Sequence, residues 1–421
     1  MSNQNSRRQF LKLGLAAGGG ALCARYAFAA PAVTDARFVF IIQRGALDGL
    51  SAVPPYADPD YARLREQLAI GAPGSAGGAL ALDHLFGLNP GLSFVHEAFA
   101  AHEALIFHAV ATPYRERSHF DGQDVLESGL TQPHASQVGW LNRAVAGLPP
   151  GAAHGAELGI ALGQNVPLVL RGPAPIASWS PSKLPDIDDD TLQRIADRYA
   201  SDPLLSQRLS EALATNRIAG ESSDIAEAST SGASASMASV NSAAAAARPG
   251  PARYIETVQT AANFLKREDG PAVAVFDTTG WDTHFNEGGA QGQLTLRLGV
   301  LDAALRSLKD SLGATWSRTA VLIATEFGRT AAANGTRGTD HGTGAAALLL
   351  GGAVQGGRVV CDWPGLSARA LYEGRDLRPT LDLRSVIKTV LRDHLKISAR
   401  TLDAEVFPAH GLPYVADLIR A

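Results

Sequence analysis

Apolar residues fall along this chain in short unbroken runs rather than in strict alternation with polar ones. Arg37 to Gln43 (RFVFIIQ), Ala104 to Ala111 (ALIFHAVA), Pro167 to Leu170, Ala272 to Phe276 (AVAVF), Thr319 to Thr325 and Ala345 to Leu350 are the clearest. A run of four to eight residues with no polar face predicts a strand buried on both sides. Between the runs lie helical patterns at Gly91 to Glu103, Asp190 to Thr215, Ala252 to Lys266, Gln291 to Leu312 and Leu383 to Leu395. Strands alternating with helices predict an α/β fold, a doubly wound and mostly parallel sheet flanked by helices. At about 220–251 Ser, Ala and Gly dominate, and that stretch reads as a flexible insertion.

The first residues carry an address rather than a fold signal. Ser6-Arg7-Arg8-Gln9-Phe10-Leu11-Lys12 precedes a short glycine-broken apolar stretch, Leu13 to Leu22, and then Ala27-Phe28-Ala29. This is the pattern of a twin-arginine signal, so residues 1–29 are expected to be removed and 30–421 to form a single domain in the periplasm or outside the cell. The translocase is then a transient partner. The apolar stretch is too short for a bilayer crossing, so no stable membrane span is expected after cleavage. Cys23 departs with the signal and leaves Cys361 as the one thiol, which rules out an intramolecular disulfide in the mature chain.

Charge removes another class of function. With 37 Lys+Arg against 41 Asp+Glu among 421 residues, the net charge is −4, and no basic surface is available for nucleic acid.

In an open parallel sheet, functional groups gather beyond the carboxyl ends of strands. The expected exits are polar here: Arg44 to Leu50 (RGALDGL), Asp277 to His284 (DTTGWDTH), Glu326 to Thr330 (EFGRT), and a further loop, Gly338 to Gly342 (GTDHG). They supply Asp48, Asp282, His284, Glu326, Asp340 and His341. Oxygen and nitrogen donors without thiolate suit zinc, manganese or iron, whereas calcium or magnesium favours an all-oxygen shell. Any one of these residues alone has a plainer use, such as an Asx turn or a helix cap.

After Ala104 to Ala111 comes Thr112 to Asp124 (TPYRERSHFDGQD), with Ser118 expected where a helix begins. Ser118 can serve as the N-cap, with Asp121 near capping-box spacing, or as a nucleophile whose alkoxide the helix end and a metal would favour; the two roles are compatible. Arg44, Arg115, Arg117 and Arg329 lie in or beside these loops, and their forked guanidinium groups suit phosphate or sulfate. Arg329 is the best placed of them, although it can equally pair with Glu326 and orient it. His96, His102 and His108 fall within expected helices or strands and read as structural.

Taken together, the leader, RGALDGL at 44–50, Ser118-His119-Phe120-Asp121, Gly280 to His284, Thr325 to Thr330 and Gly338 to Gly342 resemble a bacterial exported family of unknown function placed in the alkaline phosphatase and sulfatase superfamily. The resemblance implies a metal-dependent hydrolase acting on phosphate or sulfate esters of small molecules or surface polymers. By it Asp48 resembles the first metal ligand, Ser118 the nucleophile, Asp282 and His284 a ligand pair, Glu326 the acidic ligand of a later strand and His341 the last histidine. Two departures stand out. Glu326-Phe327 replaces the usual Asp-His, and Asp282 and His284 are two apart rather than four. The pattern that makes a formylglycine is absent around Ser118, which argues against a typical sulfatase mechanism. The altered spacing also admits a non-catalytic periplasmic binding or assembly protein that keeps the superfamily fold.

Overall fold

Nine strands hydrogen-bond into one sheet. In chain order they are β1 (Arg37–Gln43), β2 (Ala104–Ala111), β3 (Gly159–Leu162), β4 (Ile176–Trp179), β5 (Val273–Thr278), β6 (Thr319–Ala324), β7 (Ala345–Leu350), β8 (Arg358–Val360) and β9 (Leu381–Asp382). The order across the sheet is β8-β2-β7-β6-β1-β5-β3-β4, and β9 joins β2. Every pairing is parallel except those of β7, which runs antiparallel to both β6 and β2. The protein is therefore α/β with a large mixed sheet. The computed structural model describes residues 35–151, 157–163, 165–180, short pieces between 194 and 215, 250–408 and 411–420. The leader with Cys23, most of the insertion at 220–251 and much of the helix expected over Asp190 to Thr215 lie outside the described residues, although residues 203–212 are helical.

The unbroken apolar runs are explained by two cores, one on each face of the sheet. Along β1, Phe38, Phe40 and Ile42 enter one core and Val39 and Ile41 the other, so no position faces water. On the first face lie Trp140–Ala146 and Leu383–Asp393, which supply Trp140, Leu141, Val386, Ile387 and Val390. On the second lie Ser93–Ala100, Gly250–Leu265 and Gln293–Leu312, with Val95, Ala261, Leu298 and Leu305 buried. Among the described residues no helix is long and apolar enough to cross a membrane.

One expected strand is not a strand. Leu168–Leu170 forms a single 3-10 turn after Pro167, whose fixed φ and missing N–H suit the start of a helical turn and cannot serve a central ladder. The strands of that region are β3 and β4 on either side of it. Both have only four residues, too few for a pattern to stand out.

Strand direction decides where the loops meet. The carboxyl ends of β1, β2, β5 and β6 share one edge of the sheet, and antiparallel β7 begins at that edge. The whole segment from Glu326 to Gly344 is thereby kept beside the exits of β1 and β5.

Candidate metal centre

The exit loops approach closely because of particular small residues. Gly45 follows β1 with φ +117°, and a Cβ there would lie 2.7 Å from the Asp282 backbone nitrogen, so the loop after β5 can lie against the loop after β1 only with glycine at 45. On the other side the backbones of Arg329 and His341 pair as an isolated antiparallel bridge. The helix α1 (His119–Ser128) follows β2, and Gly122 on it allows contact with the Phe327 ring, where a Cβ would come within 2.8 Å.

This packing gathers His119, Asp282, His284 and His341. His284 Nε2 lies 3.0 Å from His341 Nε2 and 3.0 Å from Asp282 Oδ1. His341 Nε2 is 3.3 Å from Asp282 Oδ1, and His119 Nε2 is 3.4 Å from Asp282 Oδ2. The His119 ring stacks on Phe327 and meets His341 edge-on at 4.2 Å between centroids.

The partners of the other ring nitrogens fix the tautomers. His119 Nδ1 faces Glu326 Oε1 at 2.8 Å, His284 Nδ1 faces Asp340 Oδ1 at 3.2 Å, and His341 Nδ1 faces the Arg117 carbonyl at 2.9 Å. Each of these oxygens can only accept, so in the neutral rings each Nδ1 carries the hydrogen and each Nε2 lone pair points inward. Two Nε2 lone pairs 3.0 Å apart repel unless a cation or a proton lies between them. His119 Nε2 is buried with no hydrogen-bond partner. Metal–nitrogen bonds of about 2.0–2.1 Å place neighbouring ligands roughly 2.9–3.4 Å apart for octahedral to tetrahedral angles, the spacing of the four pairs given above. The ligand atoms of His119, Asp282 and His341, all within 4.8 Å of one another, therefore form a group that can hold a divalent cation, with His284 Nε2 beside it and a second partner orienting each ring.

Electrostatics support the same arrangement. Burial works against charge on Asp282, but the Arg329 guanidinium, 2.5 Å from Oδ1, holds its carboxyl below the usual range. Burial likewise opposes charge on Glu326, which the hydrogen bonds from His119, Gln123 and the Gly45 N–H outweigh. The bond to Glu326 raises the pKa of His119, whereas burial and then the nearby His119 and Arg329 lower that of His341.

The other expected residues take different places. Glu326 and Asp340 orient His119 and His284 from behind. Asp48 is fully buried with Arg65, Ser51 and Glu287, so a guanidinium stands beside it. Glu287 in turn accepts hydrogen bonds from Thr283 and Thr339, which tie the two ligand-bearing loops together from below at 2.7 and 3.0 Å. Arg329 pairs with Asp282 rather than Glu326, and donates also to the carbonyls of Ala46, Gly45, Trp281 and Thr339. Arg44 is paired with Glu127 and Asp277, Arg117 with Asp376 and Glu373, and Arg115 with the carbonyls of Thr112 and Tyr114. Ser118 is the N-cap of α1 by backbone position, yet its side chain does not cap the helix, and its backbone N–H donates to the Tyr114 hydroxyl at 3.1 Å.

Sequence reasoning passed over His119, although it stood in the run quoted around Ser118 and after a strand exit. Nothing in the sequence marked Arg65 or Glu287, because what defines them is burial beside Asp48 and one another, residues far apart in the chain.

Residues 100–406 match the family model DUF1501, described as a protein of unknown function. The chain belongs to that family. The matched DUF1501 segment contains His119, Asp282, His284 and His341 together with their orienting partners, and omits β1 and Asp48. No curated protein matches the chain.

Proposed function

We propose that this DUF1501 chain is an exported, metal-dependent hydrolase of phosphate-type esters built on an alkaline phosphatase-like sheet. One observation carries the reading: ligand atoms of His119, Asp282 and His341 lie within 4.8 Å of one another, with His284 Nε2 3.0 Å from His341 Nε2, at a site where the Asp282 side chain is 43% exposed. His119, Asp282, His284 and His341 would hold the cation, and zinc, manganese or iron suits the donors. A cation bound there supplies Lewis acidity that polarises the phosphoryl oxygen. Arg329 fixes Asp282 through Oδ1 and leaves Oδ2 turned to His119. Ser118, adjacent in sequence to His119 at the start of α1, would supply the attacking hydroxyl. The leader at 1–29 supports delivery to the periplasm by the twin-arginine route.

Metal content measured by mass spectrometry on protein purified without chelator tests the site. One equivalent in wild type, lost in His119→Ala and His341→Ala, is expected. Aryl and alkyl phosphate esters then test the reaction against a Ser118→Ala control, and absence of turnover above that control in metal-replete protein overturns the hydrolase reading. A non-catalytic metal-binding protein is the second reading, favoured by the engagement of Arg44, Arg115, Arg117 and Arg329 with protein oxygens.

A further inference from the structure

We propose that Glu287 is the positioning residue of the metal centre: one oxygen of its buried carboxyl group sets the separation of the two loops that carry the ligands. The inference rests on the metal reading above and gives the buried Asp48, Arg65 and Glu287 group a role in it.

Three parts of the chain meet at this side chain, which is fully buried. From the loop after β5, Thr283 Oγ1 donates to Oε2 at 2.7 Å, and from the loop before β7, Thr339 Oγ1 donates to the same oxygen at 3.0 Å. From beyond β1, Ser51 Oγ lies 2.8 Å from Oε1 and the Arg65 guanidinium lies 3.5 Å from it. Ser51 and Arg65 are held in turn by Asp48, in the exit loop of β1. The backbone of Glu287 is anchored as well. Its N–H donates to the Arg337 carbonyl at 2.9 Å, and its carbonyl accepts at 3.2 Å from Leu294 in the helix Gln293–Leu312. A side chain fixed at both ends acts as a spacer and does not follow the loops.

Thr283 stands between two residues of the site. Trp281 and Thr283 are each 3% exposed, whereas the side chains of Asp282 and His284 are 43% and 42% exposed. Such alternation turns neighbouring side chains to opposite sides. The grip on Thr283 therefore presents Asp282 and His284 away from Glu287, towards the cation site. Thr339 is tied to the same point. Its N–H donates to the Thr283 carbonyl at 3.2 Å, its own carbonyl accepts from Arg329 at 3.1 Å, and the next two residues are Asp340, which orients His284, and His341.

The 3.0 Å between His284 Nε2 and His341 Nε2 thus depends on two hydroxyls that share one oxygen. A carboxyl oxygen has two lone pairs, so Oε2 can take both at once. Supporting residues must hold a ligand set within about 0.5 Å of its working geometry, which a shared acceptor between the loops achieves.

Cobalt(II) added to metal-free protein tests this, its visible spectrum reporting ligand geometry and a competing chelator reporting affinity. Glu287→Leu removes the shared acceptor, and cobalt affinity should fall by about tenfold or more with an altered spectrum. The double variant Thr283→Val, Thr339→Val leaves the carboxyl group in place and removes only the two hydroxyls. It should give the same altered spectrum, and it decides the matter should Glu287→Leu fail to fold. Glu287→Gln is the rescue. Its oxygen can take both threonines, its NH2 can donate to Ser51 Oγ, and the Ser51 hydroxyl can turn to Asp48 Oδ2 3.2 Å away. Its cobalt affinity should stay within about twofold of wild type, with an unchanged spectrum. A residue that only stabilised the fold would lower the melting temperature and leave the spectrum of the folded, loaded protein as it is. Wild-type affinity and spectrum in the folded double-valine variant overturn the assignment, and so does a Glu287→Gln protein that loses cobalt as Glu287→Leu does. Wild-type protein that takes up no cobalt overturns the metal reading itself, and the role of Glu287 falls with it.

Discussion

Replacing Glu326 by glutamine removes one charge from beneath the metal centre while keeping the side chain's shape. Glu326 is fully buried and takes hydrogen bonds from the Gly45 N–H, His119 Nδ1 and Gln123 on Oε1, and from the Thr325 hydroxyl on Oε2. A glutamine oxygen can keep the first three. Its NH2 would then face Thr325 Oγ1, whose own hydrogen can point to the Gln43 carbonyl 2.7 Å away, so the fold should tolerate the change. What is lost is the charge in the bond to His119, and with it the basicity of the inward Nε2. Orienting partners of metal-bound histidine are typically worth 10- to 100-fold in metal affinity, or about 1.4 to 2.7 kcal/mol at 1.36 kcal/mol per decade. Zinc titration against a chromophoric chelator reads this directly. The deficit should be largest above neutral pH and shrink in acid, because Glu326 also raises the pKa of His119 and so strengthens the competing proton in wild type. A variant that melts like wild type and binds zinc within twofold of it would refute the orienting role. Glu326→Ala is the contrasting case. It strands the buried Gly45 N–H, at about 1–3 kcal/mol, together with the part-buried donors of His119 and Gln123, and should melt well below Glu326→Gln.

Other expectations follow from the same geometry. Asp282→Asn should cut metal affinity further than Glu326→Gln, since it alters a ligand and leaves buried Arg329 without its carboxylate, and equal losses in a chelator titration would contradict the ligand role. His394 is fully buried with its pKa pushed down to about 4, so it is neutral in the folded state and free to charge in the unfolded one. Its contribution is complete above pH 6.5 and is lost as pH falls from there towards 4, by up to about 3 kcal/mol, so His394→Gln should flatten that limb of a melting-temperature profile. Glu287 behaves in the opposite sense. Burial and then Asp48 push its pKa up to about 8, so it keeps a proton in the folded state that the unfolded chain releases near 4.5. Stability should therefore decline as pH rises from 4.5 through 8, and Glu287→Gln should remove that decline in the same scan. Cys361, with its thiol pushed up to about 12 by burial, should react slowly with a disulfide reagent at pH 7 and rapidly in urea, measured in a Cys23→Ser background.

The sequence by itself determined the class of fold, because strands buried on both faces leave an unmistakable run. RFVFIIQ at β1 and AVAVF at β5 need no tertiary knowledge to be read as central strands. It also marked the exit loops as chemical, since Asp282, His284 and His341 sit in glycine-rich turns where packing alone gives no reason for them. Short elements escaped, as the four-residue strands β3 and β4 show, because four residues carry too little periodicity. Tertiary structure alone decided the roles. Asp48 and Asp282 look alike in sequence, each an acid in a loop that follows a strand. Arg65 beside Asp48 and three imidazoles beside Asp282 make one a buried ion pair and the other a candidate ligand. Arg329 follows the same rule, since Asp282 and four backbone carbonyls hold it although Glu326 stands closer in sequence. A guanidinium is defined by the oxygens within about 3 Å of it, and those oxygens come from loops distant in sequence that only strand order and direction bring together.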